Sequence, residues 1–457
     1  MRKFELQPTE ANILNTLNDD MLDRNTSLVH FIQLLNALDS NYSLALDGAW
    51  GSGKTFFVKQ AKLVLEAFNN TSDLNEETRS RIQNLFSSKF EKMGINPQFA
   101  VYYDAWKNDN DLDPLLSLIY HIGDSYDYFN ETEITDKNKA LIELLKSILN
   151  FTLLRWGSNF VDLIKSKNIL DELKNANALY TKIHEFLESL PVEKGNRLVI
   201  FIDELDRCRP DYAVRLLERI KHYFDLDNVT FIFSVNMAEL SHTITNFYGQ
   251  GFDSGRYLTR FFDYILHLPE MNLHKYSHHF STDETYFSIV AEKVAKYFNF
   301  QMRDLAHYYQ ACLLFKDKIL EHNIIDGSIL LGDSVYLYLY FILPILLGIQ
   351  IVKPDSYQSF INGERKSDFV EIINGTCFSF IEDKFLNNGE SFDGKANTLK
   401  VGISERVGDL YEAIFKYPED FGKNEERMIG KIKIKSFVKT WLVSIVSQLS
   451  NYSDYKA

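Results

Sequence analysis

The stretch whose reading decides the fold is residues 44–60, LALDGAWGSGKTFFVKQ. Its first residues end an apolar run, YSLALD, that predicts a buried strand. Its last ones open TFFVKQAKLVLEAF, which predicts a helix. Between them Gly48, Ala49, Trp50, Gly51, Ser52, Gly53, Lys54 and Thr55 have the spacing of a phosphate-binding loop, in the strand-then-helix context that such a loop requires. The residue types follow from the task. Glycines accept positive φ and let backbone N–H groups converge on phosphate oxygens without side chains in the way, and the helix start adds the positive end of its dipole. Lys54 is expected to reach the β and γ phosphates and Thr55 to ligate magnesium, with Phe56 closing the nucleotide-binding set. A glycine-rich turn without a ligand is the bland alternative, and the two flanks argue against it.

At 457 residues, 45% of them hydrophobic, the chain can bury one large core or several modest ones. A formal net charge of −14 disfavours a surface that binds nucleic acid constitutively, since phosphate neutralisation needs clustered Lys and Arg. Cys208, Cys312 and Cys377 are few, odd in number and far apart, which gives neither a disulfide framework nor metal-ligand spacing. A reducing cytosol is the expected setting, and the acid-dotted first residues do not read as an export signal. Residues 334–352, SVYLYLYFILPILLGIQIV, hold no charge and are about long enough to cross a bilayer. Pro344, Gly348, Gln350 and the tyrosines fit a broken, buried helix pair equally well, and no Lys or Arg cluster flanks the stretch closely, so membrane contact is possible but not favoured. Residues 141–166 are apolar too, but Glu143, Lys146, Arg155 and Asp162 recur at near-helical spacing and predict an amphipathic helix packed on protein.

Hydrolysis requires acids at the end of another strand, and RLVIFIDELDRC supplies them. The run from Leu198 to Ile202 is continuously apolar, as in a strand buried on both faces of a parallel sheet, and Asp203-Glu204 follow it. Asp203 is expected to hold magnesium through water and Glu204 to polarise the attacking water. Asp206 and Arg207 come next, where a structural ion pair is as good a reading as a catalytic task. A helix opened by Pro210 leads to another buried strand, VTFIFSV, ending at Asn236, whose amide either orients the attacking water or caps a turn. Helix-then-strand alternation predicts a doubly wound, mostly parallel α/β sheet with the nucleotide at the carboxyl ends of the strands.

These residues resemble a known family. Trp50 inside the phosphate loop, YYDAWKNDND with Asp104-Ala105-Trp106, IDELDRC, and YLTRFFDYILHLP from Tyr257 to Pro269 together look like the KAP family of P-loop NTPases, over about residues 22–315. The resemblance implies an ATPase of the additional-strand class, with a strand between the phosphate-loop strand and the Asp203 strand, and MLDRNTSLVHFIQLL as the leading helix. It implies a division into residues 1–122 and 191–270 as the NTPase core, a helical insert at 123–190, and a helical lid and partner-binding region at 271–457. Many members read Asp-Asp where this chain has Asp203-Glu204, which strengthens a catalytic base here. Many bacterial members carry paired transmembrane helices in the insert, whereas this insert keeps its charges. Arg260, where the family has a basic residue, is expected to stabilise γ-phosphate charge in cis or from a neighbour, and Arg303 to act as the lid residue that senses that phosphate. Salt bridging is the alternative for Arg260.

The resemblance implies ATP and Mg2+ as ligands, a homo-oligomer with a companion effector protein as the assembly, and anti-phage defence as the setting. A non-hydrolysing scaffold and a nucleic-acid-dependent motor are the alternatives. His274 and His278, four apart with His279, His267 and Asp283 near, fit one zinc on paper, but their polar surroundings read as a loop and metal binding is disfavoured. Beyond residue 316 two stretches, KPDSYQSFINGERKSD and LNNGESFDGKANTLKVG, read as loops, and VGDLYEAIF and SFVKTWLVSIVSQL as helices.

Overall fold

Five apolar runs become the strands of one fully parallel sheet in the computed structural model: β1 (Tyr42–Asp47), β2 (Gln98–Asp104), β3 (Arg197–Asp203), β4 (Val229–Val235) and β5 (Tyr264–His267). The structure describes residues 6–90, 94–126, 136–156, 169–280, 286–321, 337–374, 396–416, 426–429 and 432–453. Strand order is β2-β3-β4-β1-β5, so β4 stands between the phosphate-loop strand and the acidic strand. β3 and β4 are buried along their whole length. This explains why they read as unbroken apolar runs and not as alternating ones.

Alternate residues serve opposite faces. Val101, Tyr103, Ile200, Ile202, Phe231 and Phe233 share a core with Leu118, Ile119, Leu216, Leu217 and Leu240, which come from helices Pro114–Ser125, Pro210–Tyr223 and Met237–Tyr248. Helix Lys54–Ala67 covers the other face, packing on β2 and β4. The leading helix, Asn25–Ala37, lies on it through Phe31 and Phe57, whose rings are 5.5 Å apart. Register brings the strands to a common level at their carboxyl ends, where Asp104 faces Asp203, Asp203 faces Ser234 and Asp47 faces Val235. Two backbone hydrogen bonds extend the ladders past that level, Gly48 N–H to Val235 O at 3.1 Å and Ala105 N–H to Asp203 O at 3.0 Å.

The insert contributes helices Asp136–Trp156 and Ile169–Lys194, with Leu141, Leu144, Ile148, Leu179, Ile183 and Leu187 in the core on the β2 side of the sheet. Residues 157–166 of the expected amphipathic helix lie outside the described residues.

The chain divides into two units, Pro8–Met271 and Met1–Gln7 with Asn272–Ala457. In the second, residues 337–352 of the candidate membrane stretch form one buried helix and not a broken pair, and residues 334–336 lie outside the described residues. A π turn, Tyr338–Ile342, runs directly into Leu343–Val352. The wider turn accommodates Pro344, which lacks an N–H and crowds the carbonyl one turn back. Tyr308 donates to the Pro344 carbonyl at 3.1 Å, and a Cβ on Gly348 would meet Val294 Cγ1 at 2.4 Å, so the helix packs tightly on helices Tyr286–Tyr297 and Met302–Glu321. No helix among the described residues is long and apolar enough to cross a membrane. Residues 354–361, expected as loop, form helix Pro354–Ile361 because Pro354 starts it and Phe360 and Ile361 are buried. Of the other expected loop, residues 386–395 lie outside the described residues and the remainder begins helix Ala396–Tyr411.

Ile200 is at the centre of the sheet. Ile200→Ala is expected to cost about 2–5 kcal/mol in urea unfolding, and a loss below about 1 kcal/mol would contradict the burial described.

Candidate nucleotide site

The phosphate loop is shaped by two left-handed glycines, Gly51 at φ 76° and Gly53 at φ 91°, the latter opening helix Lys54–Ala67. A side chain at Gly48 would also meet Ser52 Oγ at 3.0 Å and Lys54 Cγ at 3.2 Å. Lys54 is buried and donates to the carbonyls of Gly48 at 2.7 Å and Ala49 at 3.2 Å. Burial pulls its ammonium below the ordinary lysine value, while Asp206, Asp203 and Glu204 push the other way. A buried cation held on loop carbonyls, beside a Ser52 hydroxyl that is buried without a partner among the described residues, leaves two polar groups for an anion to satisfy. The loop thus fits a phosphate chain. Phe56 turns its ring into the core, so only its backbone amide can face such a chain.

Arg24 was not foreseen as part of the site. It is only 5% exposed, and its Nη1 donates to the Ser52 carbonyl at 3.0 Å. Burial draws its guanidinium down to about 10. The peptide it polarises is the one whose N–H belongs to Gly53, so a donor on the carbonyl side strengthens the loop amide on the other side. Arginines on leading helices are usually solvated, and nothing local in the sequence singles this one out.

Across the sheet end, Asp203 is fully buried and accepts from Thr55 Oγ1 at 2.7 Å and from Tyr102 O–H at 2.9 Å, both on Oδ2, while Oδ1 accepts the Glu204 N–H at 3.1 Å. Burial raises its proton affinity, and the Ser234, Thr55 and Tyr102 hydroxyls and Lys54 oppose that. A divalent cation beside it would hold the carboxylate ionised. A hydroxyl and a carboxylate in contact, both hard oxygen ligands, fit magnesium. Tyr102 had a signal that was overlooked: a tyrosine in a buried strand needs a partner for its hydroxyl.

Glu204 adopts a left-handed backbone, φ 62° and ψ 22°, before the 3-10 turn Leu205–Arg207. This is a costly state for a residue with a Cβ, about 1–2 kcal/mol. Burial and then the Asp203 charge push its carboxyl up to about 7, with Arg207 opposing. Arg207 Nε is 2.6 Å from Glu204 Oε2. Asp206 and Arg207 therefore do not form the ion pair with each other that was one reading of their sequence. Asp206 instead accepts the Trp50 indole N–H at 2.5 Å, and the Arg207 guanidinium lies 5.9 Å from the Trp50 ring and 5.5 Å from the Trp106 ring.

The remaining candidates stand further off. Asn236 caps helix Met237–Tyr248, its side-chain oxygen accepting from the N–H groups of Ala238 at 3.2 Å and Glu239 at 3.4 Å. Capping is thus observed, and its amide nitrogen is the atom left to meet a water. Arg260 is exposed, with no ion pair among the described residues. It precedes Asp263, whose backbone N–H bonds Ser43 O at the start of β1. Five steps along strand and loop lead from Ser43 to Gly48, about 16 Å at ~3.3 Å each. No hydrogen bond or ion pair joins Arg260 to the phosphate loop among the described residues. Arg303 is on the first turn of Met302–Glu321, in the other unit. His274 and His278 lie on a short helix, Leu273–His278, and not in a loop. His274 Nδ1 pairs with Glu292 at 2.9 Å, and no metal-holding group occurs among the described residues. A cavity of about 500 Å3 lined by Asn108, Asp111, Leu116, Tyr120, His121 and Leu145 does not include the phosphate loop or Asp203.

Loss of the Arg24 bond should loosen the loop. Arg24→Met is expected to speed amide exchange across residues 48–55 by about tenfold, the equivalent of a charged hydrogen bond worth ~1.5 kcal/mol, with β3 and β4 unchanged. Unchanged loop exchange would show that Arg24 does not stiffen it.

The family comparison agrees with a phosphate loop at this place. Residues 24–317 match the KAP family P-loop domain. An uncharacterised protein of Methanocaldococcus jannaschii is 28% identical over 173 residues, 30% of this chain and 89% of its own. Among solved structures, the Aeropyrum pernix ORC2 protein in ADPNP and ADP complexes aligns over 98% of this chain and 86% of its own, at 12% identity and a TM-score of 0.30. A Thermotoga maritima RuvB variant aligns over 91% of each chain, at 10% identity and a TM-score of 0.21. The family match alone spans well over half of the sequence, and the chain belongs to the KAP family of P-loop NTPases.

Proposed function

We propose that this protein is a magnesium-dependent ATPase whose hydrolysis cycle switches or assembles a protein complex. The observation that carries the reading is the 2.7 Å contact of Thr55 Oγ1 with Asp203 Oδ2, which joins the loop that would hold a triphosphate to the strand that carries the acids. Family membership supports nucleotide binding and hydrolysis. ATP is favoured because the sequence has no Asn-Lys-x-Asp run of the kind that reads guanine.

In this reading the amides of Gly51, Gly53 and Lys54 bind the β phosphate, and the Lys54 ammonium moves from the loop carbonyls to bridge β and γ oxygens. Thr55 and, through water, Asp203 hold magnesium, which when bound neutralises phosphate charge and orients the terminal group. Glu204 accepts a proton from the attacking water. That water's oxygen bonds to the γ phosphorus as the bridging P–O bond breaks, and the bond's electron pair leaves with ADP. Asn236, which follows β4, orients the water through Nδ2.

Arg260, exposed at the opposite end of the sheet, supports a homo-oligomer in which it serves a neighbour's site. A companion effector and an anti-phage setting are supported by the resemblance to phage-exclusion proteins. A second reading, a nucleotide-gated scaffold with little turnover, is favoured by one observation, the hold of Arg207 on Glu204. A nucleic-acid motor is disfavoured by the charge of −14.

Phosphate release measured with and without DNA and RNA separates the three. Lys54→Ala and Glu204→Gln are each expected to lower kcat by about 10²-fold or more, with no stimulation by nucleic acid. Equal release by wild type and both variants would end the hydrolytic reading. Stimulation by DNA or RNA would favour a motor.

A further inference from the structure

Arg207 has a placement that ion pairing with Glu204 does not exhaust. Its Nε lies 2.6 Å from Glu204 Oε2, yet its two terminal amino groups donate no hydrogen bond among the described residues. The guanidinium is flanked by two indoles, Trp50 at 5.9 Å and Trp106 at 5.5 Å, which are themselves 45% and 53% exposed. Trp50 belongs to the phosphate loop, and its indole N–H is bonded to Asp206, the residue before Arg207. Loop and acidic turn are thereby tied together at the point where the guanidinium sits. Glu204 follows Asp203, which Thr55 contacts directly. The guanidinium therefore borders the space between Lys54, Thr55 and the acidic pair, where the terminal phosphate of a bound triphosphate has to lie. Aromatic faces fix the plane of a guanidinium without consuming its N–H donors. An oriented fork with two unused donors is the geometry that takes a phosphate bidentately.

We propose that Arg207 is a catalytic residue acting in cis, exchanging the Glu204 carboxylate for oxygens of the γ phosphate. This inference rests on the ATPase reading above. The exchange has two consequences. The guanidinium then neutralises charge that builds on the transferring phosphoryl group. It also releases Glu204 to take the proton from the attacking water, so the base is free only when a third phosphate is present. No bond to Arg207 forms or breaks. ADP, lacking the γ phosphate, leaves the Arg207–Glu204 pair intact, and the site distinguishes its substrate from its product.

The test compares wild type, Arg207→Ala and Arg207→Lys by binding of Mg-AMPPNP and Mg-ADP, read by titration calorimetry and by the indole emission that should change as the guanidinium leaves Trp50 and Trp106. Phosphate release is measured beside it, and circular dichroism checks folding. For Arg207→Ala we expect affinity for the triphosphate analogue to fall about tenfold or more, affinity for ADP to stay within about threefold, and kcat to fall about 10²–10³-fold. Arg207→Lys, which keeps the charge but loses the fork, should fall between the two and serves if the alanine variant does not fold. Equal losses for the two nucleotides, or turnover within twofold of wild type, would overturn the role of Arg207 and leave the ATPase reading standing. Failure of wild type to bind either nucleotide would overturn that reading and this inference with it.

Discussion

The hydrogen bond from Thr55 to Asp203 spans a sheet in which their strands are not neighbours. β4 separates β1 from β3, so the contact forms only if three parallel strands end at one level and the loop after β1 folds back over β4. Register provides the first condition and the left-handed glycines, Gly51 and Gly53, the second. Tyr102 adds a third point from β2, so one carboxylate oxygen is held from both sides of β3. Burying an unpaired carboxylate is costly, and this one is retained because hydroxyl donors surround it and a cation can complete the set.

Around that contact the site keeps its charges in tension. Lys54 and Arg24 are cations buried at the loop, bonded to carbonyls and not to carboxylates. Glu204 sits on a strained backbone with its carboxyl tied to Arg207, and Trp50 fastens the loop to the next acid, Asp206. Two of these arrangements would become more favourable with an anion of several oxygens in the loop. Lys54 then gains a counter-charge, and Arg207 gains an alternative to Glu204. Strain and under-satisfied charge collected at one sheet end are what a site that turns over a charged ligand requires.

Much of this was legible in the sequence because it is local. Residues 48–55 carry their own turn geometry, and the apolar runs ending at Asp203 and Asn236 announce strands buried on both faces. What was not legible depends on residues far apart in the chain. Arg24 meets Ser52, Tyr102 meets Asp203 and Trp50 meets Asp206 only after the sheet has formed. Arg260 is instructive in the opposite sense. Its motif was visible, but which end of the sheet it occupies is set by the pairing of Asp263 with Ser43. Pro344 likewise suggested a break, whereas a π turn lets one buried helix continue through it.

The central claim is that Thr55 and Asp203 form a divalent-cation site completed by a triphosphate in the loop. Electron paramagnetic resonance of Mn2+, titrated into the protein with AMPPNP, tests it most directly. The account predicts about one nucleotide-dependent Mn2+ per chain in wild type, with that signal weakened in Thr55→Val and lost in Asp203→Asn. Equal Mn2+ binding in all three proteins, or binding that does not depend on the nucleotide, would contradict it.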